Sequence, residues 1–145
     1  MIWRAAEPLL AWRPSARGAG GEALLDTFDR FNRALVEAPA LLRFVEHERE
    51  AAVRVLVSGT GAVQPRVVAA ITELIDAEVS AGRYEPPIDP ATLSYALVRL
   101  AEAFLLSDAA AGMRGDVDRL NEVQAALLGV APRGAPRRGS RANRR

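Results

Sequence analysis

The only histidine, His47, stands in Glu46-His47-Glu48-Arg49-Glu50, a run dense in side chains that could do chemistry. A zinc-protease helix places a second histidine four residues on, and that position here is Ala51. A di-iron bundle needs Glu-x-x-His twice, and the residue three before His47 is Phe44. The metal reading fails for want of ligands, so His47 is expected as a half-buried structural side chain or as part of a pocket wall. The chain has no cysteine, which removes disulfides, thiolate nucleophiles and zinc knuckles. All nineteen basic residues are arginine, which removes a phosphate-loop lysine and a Schiff-base lysine. Gly59-Thr60-Gly61 has no strand before it and no lysine after it, so it reads as a helix-ending loop rather than a phosphate cradle. No base–nucleophile pair is visible. Neither an enzyme nor a cofactor is expected.

Tyr95, Arg99 and Glu102 are spaced i, i+4 and i+7, which puts them on one face of a helix. Two readings stay open. One is a solvated edge whose ion pair contributes little. The other starts from Glu48, which shares a helical stripe with Leu41, Val45, Ala52 and Val55. A carboxylate aimed into a core needs a partner, and the guanidinium of Arg99 can satisfy one bidentately. Glu48, Arg99 and Glu102 are then a polar cluster at the base of an internal cavity, with Phe28, Phe44, His47 and Tyr95 in its wall.

These residues must be positioned by helices. At 145 residues the chain is one domain by length, large enough to bury about two-thirds of the surface its unfolded form exposes. Residues Ile2 to Arg13 look helical, with Pro8 shortening or kinking the helix. A first clear helix spans about Glu22 to Ala38, with Leu24, Leu25, Phe28, Phe31 and Leu35 as its apolar stripe. Asp26, Asp29, Arg30 and Arg33 are expected on its wet side. Pro39 opens further helix up to Gly59, in one or two pieces. The next helix starts near Pro65 and ends at Gly82. Asp89 is the expected N-cap, with Pro90 behind it, of a helix reaching about Ala110. Asp116 caps a last helix that ends before Gly129. No segment alternates with period two for long, so no strands are expected.

No apolar run approaches the roughly 18 residues that span a membrane, and Met1-Ile-Trp-Arg lacks the parts of a signal peptide. A cytoplasmic location without membrane contact is expected. The segment after Val130 holds six arginines and no acid, leaving thirteen arginines against eighteen acids in the body, a net charge of −5. An acidic body is a poor nucleic-acid surface. The Pro-, Gly-, Ser- and Arg-rich tail is expected to be disordered and solubilising.

The pattern of short blocks resembles the C-terminal regulatory domain of TetR-family transcription regulators, and within it the QsdR-like members. The blocks are Pro39-Ala40-Leu41-Leu42-Arg43-Phe44, Glu46-His47-Glu48-Arg49, Gln64-Pro65-Arg66-Val67-Val68, Gly82-Arg83-Tyr84, Pro87-Ile88-Asp89-Pro90, and Leu97 to Phe104. The resemblance covers roughly Gly21 to Val130. It implies an all-α bundle of about six helices that binds a small apolar or amphipathic effector, of lactone or acyl type. It also implies a homodimer built on the last two helices, for which Leu93, Leu97, Leu100, Phe104, Leu120 and Leu127 are the candidate contacts. The expected division is 1–20 as a remnant connecting helix and loop, 21–130 as the regulatory domain, and 131–145 as the tail. In the family an N-terminal helix-turn-helix binds DNA. Nothing in this chain corresponds to that module, so DNA contact is expected only through a module the chain lacks. A helical interaction module that dimerises with itself or with a full-length homologue, without sensing, is the alternative.

Overall fold

The computed structural model describes residues 6–39, 63–107 and 115–131, together with Arg43, Glu46, His47 and Glu50. Five α-helices are described with their bounds, α1 (Ala6–Trp12), α2 (Gly21–Glu37), α3 (Val63–Ser80), α4 (Pro90–Ala101) and α5 (Val117–Leu128); Arg43, Glu46, His47 and Glu50 are helical as well, and no strand occurs among the described residues. A short 3₁₀ turn, Arg13–Ser15, follows α1, and a π-helical segment, Glu102–Ser107, continues α4.

The helix ends follow from local chemistry. Asp89 accepts a hydrogen bond from the Thr92 backbone N–H at 3.0 Å, with Pro90 in the first turn of α4. Asp116 does the same for the Arg119 N–H at 3.0 Å at the start of α5. At the end of α3 the chain turns left-handed at Gly82, φ 70°. The Gly82 N–H then reaches the Val79 carbonyl and the Arg83 N–H reaches the Glu78 carbonyl, the paired closure that satisfies a helix's last acceptors. Gly129 and Val130 make the same pair of bonds at the end of α5.

Packing is organised by α3, whose Ile71, Leu74 and Ile75 face the core. Helix α3 lies chiefly against α4, and α2 lies against α5. Leu24, Leu25 and Phe28 come in from α2, Leu93, Leu97 and Val98 from α4, and Ala125 and Leu128 from α5. Helix α1 crosses α3 and α2 and contributes Leu9, which is fully buried.

One expectation is corrected. Asp26 and Asp29 are not on a wet side: both are buried, as is Asn32. Helix α2 is covered on two sides, by the core and by the 13–17 segment with α5, and its acids find partners there. Asp29 accepts both its oxygens' bonds from Arg33 Nε, at 3.1 and 3.0 Å, and Asp26 accepts the Arg17 backbone N–H at 3.1 Å.

Two glycines separate conformational cost from collision. Both Gly82 and Gly20 have positive φ, 70° and 58°. A Cβ on Gly82 meets nothing within 4 Å, whereas one on Gly20 falls 2.1 Å from the Arg83 carbonyl oxygen. Gly82→Ala should therefore cost about 1 kcal/mol, and Gly20→Ala about 3 kcal/mol. Urea unfolding of the two variants checks the order; equal losses would contradict the close approach at Gly20.

Candidate functional site

Three polar constellations are built against the core. The first is centred on Glu78, on the same face of α3 as Ile71, Leu74 and Ile75. Glu78 is 4% exposed. Oε1 accepts from Arg13 Nη2 at 3.0 Å and from Arg83 Nη2 at 3.0 Å; Oε2 accepts from Arg83 Nε at 2.7 Å and from the Gly20 backbone N–H at 3.2 Å. The Arg83 bonds, with those of Arg13, outweigh burial and hold the Glu78 carboxyl down to about 2. A buried carboxylate with that many donors is stable only as the anion.

The second joins α2, α4 and α5. The Asn32 side-chain amide donates to Gln124 Oε1 at 3.0 Å, and Gln124 Nε2 reaches the Leu97 carbonyl at 3.5 Å. On the rim of this seam Arg33 bridges Asp29 to Asp118 of α5, with Nη2 2.7 Å from the Asp118 carboxylate. Its two acids, Asp29 first, raise its proton affinity above the ordinary arginine value.

The third is the Tyr95–Arg99–Glu102 face. Arg99 Nη1 donates to Glu102 Oε2 at 3.0 Å. The guanidinium also lies 5.9 Å from the centroid of the Tyr95 ring. Glu102 is buried, while Arg99 is close to half exposed. The ion pair stands where regular α-helix gives way to the π segment, a kind of irregularity that often marks functional sites.

The expected pocket residues are not gathered at one point. Phe28 is core, 2% exposed. Tyr95 is 52% exposed, so it is a surface ring stacked under Arg99 and not a buried wall. His47 is exposed, and its Nδ1 donates to the Arg43 carbonyl of its own helical turn at 2.9 Å, so the half-buried expectation is corrected as well. Phe44 and Glu48 lie outside the described residues, so the cluster is seen only as its Arg99–Glu102 half. Of the expected dimer contacts, Leu93, Leu97 and Leu120 are buried inside the chain's own core and offer no surface to a second copy. Leu100, Phe104 and Leu127 are half-buried. An open depression of about 370 Å³ is lined instead by Ser15, Arg17, Asp26 and Arg30, beside Trp12, over which Arg30 stacks at 5.4 Å. Among the described residues no group of three or more acids, histidines or cysteines could hold a metal ion, and no helix is long and apolar enough to cross a membrane.

The Glu78 and Asn32–Gln124 constellations were not foreseen. A signal for Glu78 existed: the face-sharing test that singled out Glu48 applies equally to Glu78, one turn beyond Leu74 and Ile75.

A family model described as tetracyclin repressor-like, C-terminal domain, matches residues 19–129. Among solved structures the chain is similar to the transcriptional repressor QsdR of the TetR family from R. erythropolis, with a TM-score of 0.80. The sequences are 22% identical, and the likeness covers 90% of this chain and 69% of that one. At that identity the likeness establishes the fold. No curated protein matches the chain.

Glu78→Gln keeps the shape of the side chain and removes the charge that three donor groups address. It should destabilise the fold by about 3 kcal/mol at neutral pH. Because the folded-state value lies near 2 and the ordinary value near 4.5, the unfolded chain binds the proton more tightly. The contribution is therefore complete above about pH 4.5 and lost as pH falls through about 2. Acid titrations of wild type and Glu78→Gln should converge across that window; parallel curves would mean that the carboxylate is not held as described.

Proposed function

Because the chain belongs to the tetracyclin repressor-like C-terminal domain family, we propose that it is the dimerising, effector-sensing domain of a TetR-family transcription regulator. The observation that carries this reading is the extent of the match, which takes in every helix from α2 to α5. The family's fold is that of a regulator and not of an enzyme.

The proposed macromolecular partner is a second copy of the chain, in an isologous contact through the outer side of α4, its π segment and α5. Leu100, Phe104 and Leu127 are half-buried there and gain most from being covered. The proposed effector is a small apolar or amphipathic molecule. Phe31, Val67 and Val68 lie half-buried against the core and supply apolar wall for it. The Arg99–Glu102 pair supplies a polar end. An effector acts here by binding one arrangement of the helices better than another. We assign the domain to the cytoplasm of a bacterium. We place DNA contact in the family's helix-turn-helix and not in the described helices.

Native mass spectrometry of the purified full chain tests the dimer. The wild type should be dimeric and Leu100→Arg monomeric; a wild type that stays monomeric at micromolar concentration removes the dimer. Thermal unfolding with a panel of acyl lactones and related amphiphiles tests sensing. A true effector at a hundred times its Kd adds about 2.7 kcal/mol. A dimer whose melting point no such compound moves would favour a plain interaction module.

A further inference from the structure

Four elements converge on one place. The end of α1 arrives through Arg13, the start of α2 through Gly20 and Gly21, the end of α3 through Glu78 to Tyr84, and the end of α5 through Leu128 to Val130. The Glu78 carboxylate joins the first three. The residue after Arg83 reaches the fourth: the Tyr84 hydroxyl donates to the Leu128 carbonyl at 2.8 Å. Gly21 lies under both, since a Cβ there would sit 2.6 Å from Val130 Cγ1 and 3.0 Å from Tyr84 Cε2. The contacts run without a break from Arg13 through Glu78, Arg83 and Tyr84 to the last turn of α5.

The element at one end of this chain of contacts is lightly held. Little of the described part of helix α1, Ala6–Trp12, is covered by the rest of the chain. Of its described side chains only Leu9 is buried, and Leu10 is 39% exposed. Its docking rests on Leu9, on Trp12, over which Arg30 of α2 stacks, and, just past its end, on the Arg13–Glu78 bond. Weakly packed elements of this kind open locally, well below the cost of global unfolding.

We propose that the Glu78–Arg83–Tyr84 junction couples the docking of α1 to the position of the C-terminal turn of α5, so that loosening either end loosens the other. The coupling is a property of this network and stands apart from the effector reading; it holds for a sensor and for a plain interaction module alike. By linkage it acts equally in both directions.

Hydrogen–deuterium exchange of the full-length chain, read by peptide mass, tests it. Tyr84→Phe deletes one hydroxyl that touches α5 and no atom of α1. Exchange should speed up roughly fivefold or more at residues 6–12 as well as at 128–130, the lower bound for linked sites. Glu78→Gln should speed up both ends too, and in that background Tyr84→Phe should add nothing further at residues 6–12. If Glu78→Gln does not fold, Arg13→Gln cuts the same link from the α1 side and is read in the same way. A Tyr84→Phe effect confined to residues 125–130, or effects that simply multiply in the double variant, would overturn the coupling.

Discussion

A carboxylate removed from water must be met by donors, and Glu78 sets that demand for the whole N-terminal half of the described fold. It sits among Ile71, Leu74 and Ile75, where an isolated anion could not remain. Its donors come from three separate stretches of chain, and together they decide where α1 ends, how the 16–20 segment lies and how α3 turns into the next loop. Gly20 has no room for a side chain because its N–H must reach this carboxylate across the Arg83 backbone. Arginine suits the role where lysine would not, since one planar fork can address both carboxylate oxygens, as Arg83 does.

The opposite side of α2 is governed by the same rule with neutral groups. Asn32 and Gln124 are each buried and answer one another, and Gln124 extends toward the Leu97 carbonyl on α4. Apolar contacts alone would let α5 slide along α2. An amide pair that must meet fixes the register, because a shift of one residue strands two buried amides. Helix α5 is thus indexed against α2 and α4 by polar pairing, with Leu127 packed half-buried at the edge of the core.

What could be read from sequence was local. Asp89, Asp116, Gly82 and Gly129 mark helix ends because capping involves residues within a few positions of each other. The leucines of α2 and the all-α class follow from spacing, and the short blocks from Pro39 to Phe104 carry the family. What could not be read depends on partners distant in the chain. Asp26 and Asp29 look solvated on a helical wheel, and only the 13–17 segment and α5 show otherwise. Leu93, Leu97 and Leu120, named as interface contacts on the strength of the family resemblance, are covered by the chain's own core, because an apolar stripe says which residues seek cover and not which chain provides it. Tyr95 and His47, the polar-aromatic members of the expected cavity, turned out to be exposed, while the Arg99–Glu102 pair formed as its spacing required. The π segment after Ala101 has no distinctive residue to announce it.

The donors around Glu78 differ in how far along the chain they must travel. Arg83 is five residues away, whereas Arg13 and Gly20 are separated from it by 65 and 58. The near partner can form as soon as α3 closes its last turn, before any distant segment arrives; the far ones wait on loop closure. Without Arg13 and Gly20, Arg83 would still pair with the carboxylate, and the charge would not be left alone in an apolar cleft. The electrostatics of the buried carboxylate are therefore anchored within one helix end and only reinforced by the distant N-terminal stretch.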